Sequence, residues 1–584
     1  MENCSIKSLF KEALKFKKEL ILGNIFAILA TLATVTVPLF IPLLIDELLL
    51  HKSHTLTDFV AKYLMPMSLV GYVFFFLFLT IFLRFLGFVF ASQQVKMLTT
   101  IAKNISFRIR KKAIEYLKKV SLKEYERFSP GAITSKLVTD IATIDTFIGN
   151  TVGKLIVSIL ILIFTSIILL IINWKLALFI LITNPIVVLV TAKMARKVGF
   201  LKRKENQATE KFQEELNDTL ELFNQIKAAN KEEYFFSKVL KKAKELKDIA
   251  IEFGYKSDKS MRLSYLSFLS GYEVFRSVAI LAVAYSNLSI GLMLAIFGYL
   301  WIMMTPTQDV ITFQYNLNNA KAACSRVEEI FKLKQEREVK NSKNPFKQNS
   351  LEIALYKLFF AYEDKDILKD VTFKIEPLSK VAIVGPSGSG KSTLANLIAG
   401  FYEPSRGDLS YNAISYKEID PRVIRENIYL ILQHPKLFND TIRFNLTLGK
   451  EVDESEIKKA IKIAQLQEVI DNLPNGLDTI IGKDGVKLSG GQRQRVAIAR
   501  MIIANPKVVI FDESTSALDV HTELHLFKEL YEFLKDKTVI TIAHRLSTIE
   551  KAEYIYVLED GVLVESGTPE ELMNKDASYF ATMI

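Results

Sequence analysis

Long apolar runs dominate the first half of the chain. A helix needs about 20 mostly apolar residues to cross the hydrocarbon core of a bilayer. Six segments meet this requirement, and they cover residues 20–45, 64–92, 148–173, 175–194, 264–287 and 291–313. The third and fourth meet at Asn173 and Trp174, so these two are expected to form a tight hairpin. The pattern therefore predicts six membrane-spanning helices.

Basic residues are concentrated in some of the connections between these runs. Five lysines lie within the first 18 residues, and the two long connections, between the second and third and between the fourth and fifth runs, carry many more. Because cytoplasmic loops are enriched in Lys and Arg, both termini are predicted to be cytoplasmic in a multi-pass protein of the inner membrane. The basic, amphipathic N-terminus is predicted to lie on the membrane surface. This distribution explains much of the net charge of +11 without a nucleic acid partner.

The composition changes at about Leu333, where the apolar runs end. Residues 333–350 are polar and are interpreted as a linker. After Leu351, short strand-like runs such as Val381–Val384 and Val508–Phe511 alternate with helical patterns, which indicates an α/β sheet domain. The predicted architecture is an all-α transmembrane domain over 1–332, followed by an α/β domain over 351–584.

The two cysteines, Cys4 and Cys324, lie far apart in the sequence. Both fall outside the apolar runs, and their number fits neither a disulfide framework nor a metal site. They are interpreted as two unpaired thiols.

A glycine-rich loop follows the strand Val381–Val384 and precedes a helical pattern, and it has the G-x-x-x-x-G-K-S spacing of a phosphate-binding loop. In this context the backbone N–H groups and the helix N-terminus favour phosphate oxygens. Lys391 is expected to reach the β- and γ-phosphates, and Ser392 to ligate Mg²⁺. The predicted ATP-binding residues here are Gly385, Pro386, Ser387, Gly388, Ser389, Gly390, Lys391, Ser392 and Thr393.

Two further motifs belong with this loop. The strand Val508–Phe511 ends in Asp512 and Glu513; the first is expected to hold Mg²⁺ and the second to polarise an attacking water. Between the phosphate loop and this strand, a serine–glycine segment opens a predicted helix, where its backbone makes an anion site. The residues of this second anion site are Ser489, Gly490, Gly491 and Gln492.

The order and spacing of these motifs resemble those of ABC transporters, whose signature is the LSGGQ segment at 488–492. The whole chain resembles the exporter half-transporters, a group that includes lipid flippases and multidrug exporters. The resemblance identifies the α/β domain as a P-loop ATP-binding cassette. It also assigns roles to Tyr362, which would stack on adenine, to Gln433, which would contact Mg²⁺ and the attacking water, and to His544, which would contact the γ-phosphate.

The resemblance implies a dimer, because in this family each ATP lies between the phosphate loop of one cassette and the signature of the other. Asp519 lies in the segment that would cross that interface. Every catalytic motif is intact in this chain, so a homodimer with two hydrolytic sites is expected; a heterodimer with a related chain stays open. One departure is Lys483, which stands where the family often has an acidic residue, and it leaves the coupling at that segment open.

The implied function is ATP-driven export or flipping of a lipid, a lipid-linked glycan or an amphipathic drug by alternating access. The alternatives are a peptide exporter, a nucleotide-gated membrane protein that does not transport, and a soluble cassette ATPase, which the apolar runs disfavour. Charged residues inside spans are costly and point to function. The substrate-site candidates are Arg84 and, unless they pair with each other on one helix face, Glu273 and Arg276.

Overall fold

The chain divides into two units, each with its own hydrophobic core. Unit 1 contains residues 1–115 and 130–332, and unit 2 contains 116–129 and 333–584. The segment 116–129, which lies inside the predicted membrane domain, groups with unit 2, as does the predicted linker at 333–350. The computed structural model describes residues 4–50, 68–128, 130–285, 288–347, 351–362, 365–482, 485, 487–512, 520–542, 549, 552–574 and 580, without the side chains of 130, 181–197, 264, 268, 311 and 520.

The described part of unit 1 is built from helices that are much longer than a bilayer requires. The longest has 54 residues and is about 80 Å long at 1.5 Å per residue. The helices up to residue 330 are α1 Ile6–Ala13, α2 Lys17–Leu49, α3 Leu69–Leu117, α4 Leu122–Arg127 (which groups with unit 2), α5 Gly131–Ile172, α6 Trp174–Glu221, α7 Phe223–Ala228, α8 Glu232–Tyr285 and α9 Ile290–Ile330.

Five of these helices, α2, α3, α5, α8 and α9, are long and apolar enough to cross a membrane, counting only the described residues. Each of them overlaps one of the six predicted spans. The fourth predicted span lies within α6, where the side chains of 181–197 are outside the description. The expected hairpin before α6 is present, because Asn173 adopts an extended conformation and its side chain accepts hydrogen bonds from the backbone N–H groups of Lys175 and Leu176.

One buried apolar cluster of unit 1 joins four helices. Leu9 of α1, Ile105 of α3, Ile144 of α5 and Val327 of α9 are buried in a single apolar cluster. Ion pairs border this cluster where α5 meets α9. Arg326 donates to both carboxylate oxygens of Asp140, from Nε at 3.0 Å.

Unit 2 contains two sheets, and their strand order decides which loops meet. One sheet is four-stranded and antiparallel, with order β2-β1-β4-β5; the other has six strands in the order β10-β9-β3-β8-β7-β6. In the second sheet β9, β3, β8, β7 and β6 are parallel, and β10 is antiparallel to β9. The strands are β1 Ile353–Ala361, β2 Asp366–Ile375, β3 Lys380–Val384, β4 Arg406–Tyr411, β5 Ile414–Ser415, β6 Ile428–Ile431, β7 Val508–Asp512, β8 Thr538–Ile542, β9 Tyr554–Glu559 and β10 Val562–Gly567.

Helices pack on the six-stranded sheet, as expected for a parallel sheet with buried strands. Its central strands β3 and β7 are almost wholly buried, which explains their continuous apolar sequences. The helices are α10 Lys391–Ile398, α11 Pro421–Asn427, α12 Ile442–Thr447, α13 Glu454–Ile463, α14 Gln467–Asp471, α15 Gly490–Ala504, α16 Val520–Leu534 and α17 Pro569–Met573.

Asp140→Ala is expected to lower the stability of unit 1, because the carboxylate is buried and its loss leaves Arg326 without this bidentate partner. The expected cost is about 1–3 kcal/mol. It would appear as a lower unfolding temperature of the purified protein. A matched control is Glu115→Ala, which removes a pair with Lys111 at 3.9 Å whose two side chains are more than half exposed. Equal unfolding temperatures for the two variants would contradict the assigned role of Asp140.

Candidate nucleotide-binding site

The predicted phosphate loop runs from the end of β3 into α10, and two of its glycines occupy conformations that other residues rarely adopt. Gly385 has φ 150°, and an added Cβ would lie 2.0 Å from the carbonyl oxygen of Leu558. Gly390, the residue before α10, has φ 97°, and its Cβ would lie 2.7 Å from Leu368. The tight path of this loop therefore requires glycine at both positions.

Two polar side chains of this loop are buried. The Lys391 ammonium donates to the carbonyl oxygens of Gly385 and Pro386, each at 2.9 Å. Ser389 is 2 % exposed, and among the described residues its hydroxyl has no hydrogen-bond partner. A buried polar atom without a partner is unfavourable, so the Ser389 hydroxyl fits a loop that receives a polar ligand.

The hydroxyl of Ser392 donates to Oδ1 of Asp512 at 3.1 Å. These residues are far apart in sequence, and the sheet brings them together, because β3 and β7 are parallel and only β8 lies between them. The carboxyl ends of parallel strands lie along one edge of the sheet, which is where ligands bind in open α/β sheets. Ser392 and Asp512 thus form a pair of hard oxygen donors of the kind that Mg²⁺ takes.

Gln433 lies just after β6, which is next to β7 in the same sheet. Its backbone carbonyl accepts a hydrogen bond from Nε2 of Gln494, a residue of α15, at 3.2 Å. The segment that carries Gln433 is therefore tied to the helix that begins at the predicted signature.

Ser489 is the N-cap of α15, and it forms a reciprocal capping box with Gln492. The Ser489 hydroxyl accepts from the backbone N–H of Gln492 at 3.2 Å, and the Gln492 side chain accepts from the backbone N–H of Ser489 at 2.8 Å. Both side chains thus fix the start of the helix, whose first turn carries N–H groups and the positive end of the helix dipole.

Tyr362 belongs to a cluster of three aromatic rings beside the phosphate loop. Its ring meets Phe360 edge-on at 5.0 Å and Tyr402 edge-on at 5.5 Å, and its hydroxyl is 3.4 Å from that of Thr393 on α10. The side chain is still 37 % exposed, which leaves one side of the ring for a ligand.

Sequence reasoning missed the contribution of α4 to this aromatic cluster. Lys123 donates to the carbonyl oxygen of Ala361 at 2.8 Å, and Tyr402 donates to the carboxylate of Glu126 at 2.8 Å. Burial and this hydrogen bond raise the pKa of Tyr402 well above its ordinary value, so the phenol stays a donor. Residues of α4 and Tyr362 line a common cavity of about 360 Å³, and its lining consists of Lys123, Glu126, Arg127, Tyr362, Lys365 and Ile367. These partners lie more than 200 residues apart, so no local pattern in the sequence reveals them.

Three predicted site residues, Glu513, Asp519 and His544, lie outside the described residues. Among the intramembrane candidates, Glu273 and Arg276 pair with each other at 2.6 Å on α8. Arg84 lies on α3 with its side chain exposed, between Ile81 and Phe88, which are 53 % and 67 % exposed.

Family models match both parts of the chain: the ABC transporter transmembrane region over residues 20–307 and the ABC transporter model over 368–516. An ATP-dependent lipid A-core flippase of Coxiella burnetii is 31% identical over 82% of this chain and 81% of that protein. The flippase of the same name from Desulfotalea psychrophila is 29% identical over 98% of each. In fold, the chain resembles a bacterial Atm1-family ABC exporter with ATP bound, with a TM-score of 0.82 and 24% identity over 97% of each chain.

Membrane-spanning helices joined to a P-loop sheet domain define a membrane transport ATPase with one transmembrane and one nucleotide-binding part per chain. The chain belongs to the ABC transporter family.

Tyr362→Ala is expected to weaken ATP binding roughly tenfold or more, because stacking a base on an aromatic ring contributes about 1–3 kcal/mol. The affinity for inorganic tripolyphosphate, measured by its competition with ATP, should be the same in the variant and the wild type, because tripolyphosphate has no base. The matched control is Tyr356→Ala in β1, the strand that ends just before Tyr362, since Tyr356 is 61 % exposed and lies outside the aromatic cluster. Equal ATP affinity for the wild type and Tyr362→Ala, measured by titration calorimetry, would contradict a base-stacking role.

Proposed function

We propose that two copies of this chain form a homodimer that uses ATP hydrolysis to move a lipid across the inner membrane. The observation that carries this proposal is the meeting of Ser392 and Asp512 beside the phosphate loop, in a chain whose other part is made of membrane-spanning helices. Both termini are proposed to be cytoplasmic, because the basic residues are concentrated there and in the two long connections.

ATP is proposed to bind with its phosphates on residues 385–393 and its adenine against Tyr362. Lys391 already has its ammonium in the loop, where it would lie close to the β- and γ-phosphates. Ser392 and Asp512 would hold Mg²⁺ together with Gln433, and the ion would supply neutralisation of phosphate charge. Glu513, the residue after β7, would then orient the attacking water, and His544 would contact the γ-phosphate.

The dimer is proposed because the signature segment of each chain would contact the phosphates of the ATP that the other chain holds. Ser489 and Gln492 form the cap of α15, so the first turn of this helix has a fixed direction. A helix N-terminus attracts anions, and in this family the signature faces the nucleotide of the partner. Gly490 and Gly491 carry no side chain that would keep a phosphate away, and Asp519 would lie at the interface.

A lipid of the lipid A-core type is proposed as the cargo. The supporting observation is that relatives covering nearly the whole chain are named as ATP-dependent lipid A-core flippases. Such a lipid carries a large polar head with negative charge, so a cation inside the spans would favour its entry. Arg84 is the cation proposed for this contact, since Arg276 is neutralised by Glu273.

The proposal is tested by reconstituting the purified chain in liposomes and measuring ATP hydrolysis and lipid movement together. Glu513→Gln is the control; it should still bind ATP while hydrolysis falls about a hundredfold or more, because the general base is lost. Lipid movement should stop in this variant as well, because it depends on ATP hydrolysis. ATP hydrolysis without movement of any lipid, or with movement of a peptide, would contradict the proposed cargo.

Arg84→Ala is expected to reduce the stimulation of ATPase activity by an anionic lipid, because the variant loses a charge inside the spans. Arg276→Ala is the matched control; it removes an intramembrane arginine whose charge Glu273 already balances, so its effect should be smaller. The measurement is ATPase activity in lipid discs over a range of lipid A concentrations. An unchanged stimulation by every lipid tested would remove Arg84 from the cargo site.

A further inference from the structure

We propose that Cys4 and Cys324 are a pair that can be oxidised to an intramolecular disulfide, which would join the start of the chain to the last helix of unit 1. The sequence suggested two unrelated thiols. The structure instead buries both in one apolar cluster, with 3 % and 2 % of their surfaces exposed. The Cys324 thiol is also the largest influence on the pKa of the Cys4 thiol, which it raises. The inference does not depend on the cargo.

The position of Cys4 is fixed by the helix that follows it. Ser5 is the N-cap of α1, and its hydroxyl accepts from the backbone N–H of Ser8 at 3.2 Å. Cys4 therefore occupies the position before the cap, and Leu9 is the fourth residue of the helix; apolar residues at these two positions commonly pack together. Both are buried in the same cluster, so the Cys4 thiol points toward the core.

Cys324 lies on the face of α9 that this cluster buries. Ala320, Ala323 and Val327 are completely buried and lie one, three or four residues from Cys324, a spacing that groups them on one side of the helix. Two alanines beside the thiol allow a neighbouring segment to approach the helix closely. The thiol thus lies at the point where the N-terminal segment packs.

The other end of α1 is attached to a different helix. Glu12 is buried and pairs with Arg108 of α3 at 3.0 Å, and the Arg108 guanidinium lies 5.0 Å from the centre of the Phe16 ring. A disulfide would therefore add a second attachment, to α9, at the opposite end of the short helix. Because both thiols lie in one packed apolar cluster, we expect the bond to form without rearrangement of the helices.

The oxidation is balanced by a two-electron oxidant of the azodicarboxamide class, such as diamide. Both S–H bonds break and one S–S bond forms, while the N=N bond of diamide takes up the two electrons and two protons and becomes a hydrazine. The neighbouring Cys324 thiol and burial raise the pKa of the Cys4 thiol. Since the thiolate is the reactive form, oxidation should be faster at pH 9 than at pH 7.

The full-length protein in lipid discs is treated with diamide, and its free thiols are counted under denaturing conditions. We expect the count to fall from two to none, with a proteolytic fragment in which Cys4 is linked to Cys324. The protein should remain a single chain on a non-reducing gel. Its unfolding temperature should rise, because the bond closes a loop of about 320 residues and restricts the unfolded chain. Dithiothreitol should reverse both changes.

Cys4→Ser and Cys324→Ser are the controls, and each should abolish the cross-link and the rise in unfolding temperature. If the hydroxyl disturbs the core, Cys4→Ala and Cys324→Ala keep the site apolar and serve the same purpose. Two free thiols after oxidation of the folded protein, at pH 7 and at pH 9, would overturn the proposal. A linkage between two chains, or a link found only after unfolding, would overturn it as well.

Discussion

The hydrogen bond between Ser392 and Asp512 is the contact on which the nucleotide site depends. It exists because β3 and β7 are parallel strands with only β8 between them, so the loops after both strands end at one edge of the sheet. A residue added within β7 would turn its side chains to the other face, because the side-chain period of a strand is two. The chemistry of the site is therefore fixed by strand register as much as by residue type.

The phosphate loop depends on the same sheet from its other side. A Cβ at Gly385 would clash with the carbonyl oxygen of Leu558 in β9, the strand that pairs with β3 on the side opposite β8. A Cβ at Gly390 would clash with Leu368 in β2, which belongs to the antiparallel sheet. Both sheets thus limit the space around the loop. This explains why Gly385 and Gly390 must be glycine.

The segment at 116–129 leaves the long helices of unit 1, makes its contacts in unit 2, and returns. It is tied to the chain after α9 by backbone hydrogen bonds from Ser121 to Lys334 and from Glu336 to Lys119. It reaches the aromatic cluster through Lys123 and Glu126. A nucleotide that moved Tyr362 would move α4 too, and α4 is joined by the chain to α3 and α5.

The motifs were predictable from the sequence because each is local. A glycine-rich loop after an apolar strand, a carboxylate at a strand end and a serine before two glycines all show their chemistry within eight residues. The contacts of Glu126 with Tyr402 and of Cys4 with Cys324 were not predictable, because each joins residues that are hundreds of positions apart. For Glu273 and Arg276, the spacing in the sequence allowed either an ion pair with each other or binding of the cargo. In the structure the two side chains form an ion pair.

The two parts of the molecule carry specificity in different ways. In the nucleotide site a few side chains are held at the edge of one sheet, so a single substitution has a large effect on chemistry. In the membrane helices the intramembrane charges are few, and Asp309 of α9 is engaged by the hydroxyl of Ser158 on α5 at 2.9 Å. This hydrogen bond joins α5 to α9 and occupies one oxygen of the Asp309 carboxylate. Recognition of a lipid would then rest on shape and apolar contact spread over many side chains, with a cation such as Arg84 selecting for negative charge. That arrangement explains why short sequence motifs identify the chain as an ATPase. The cargo, by contrast, is indicated only by relatives that match the chain along nearly its whole length.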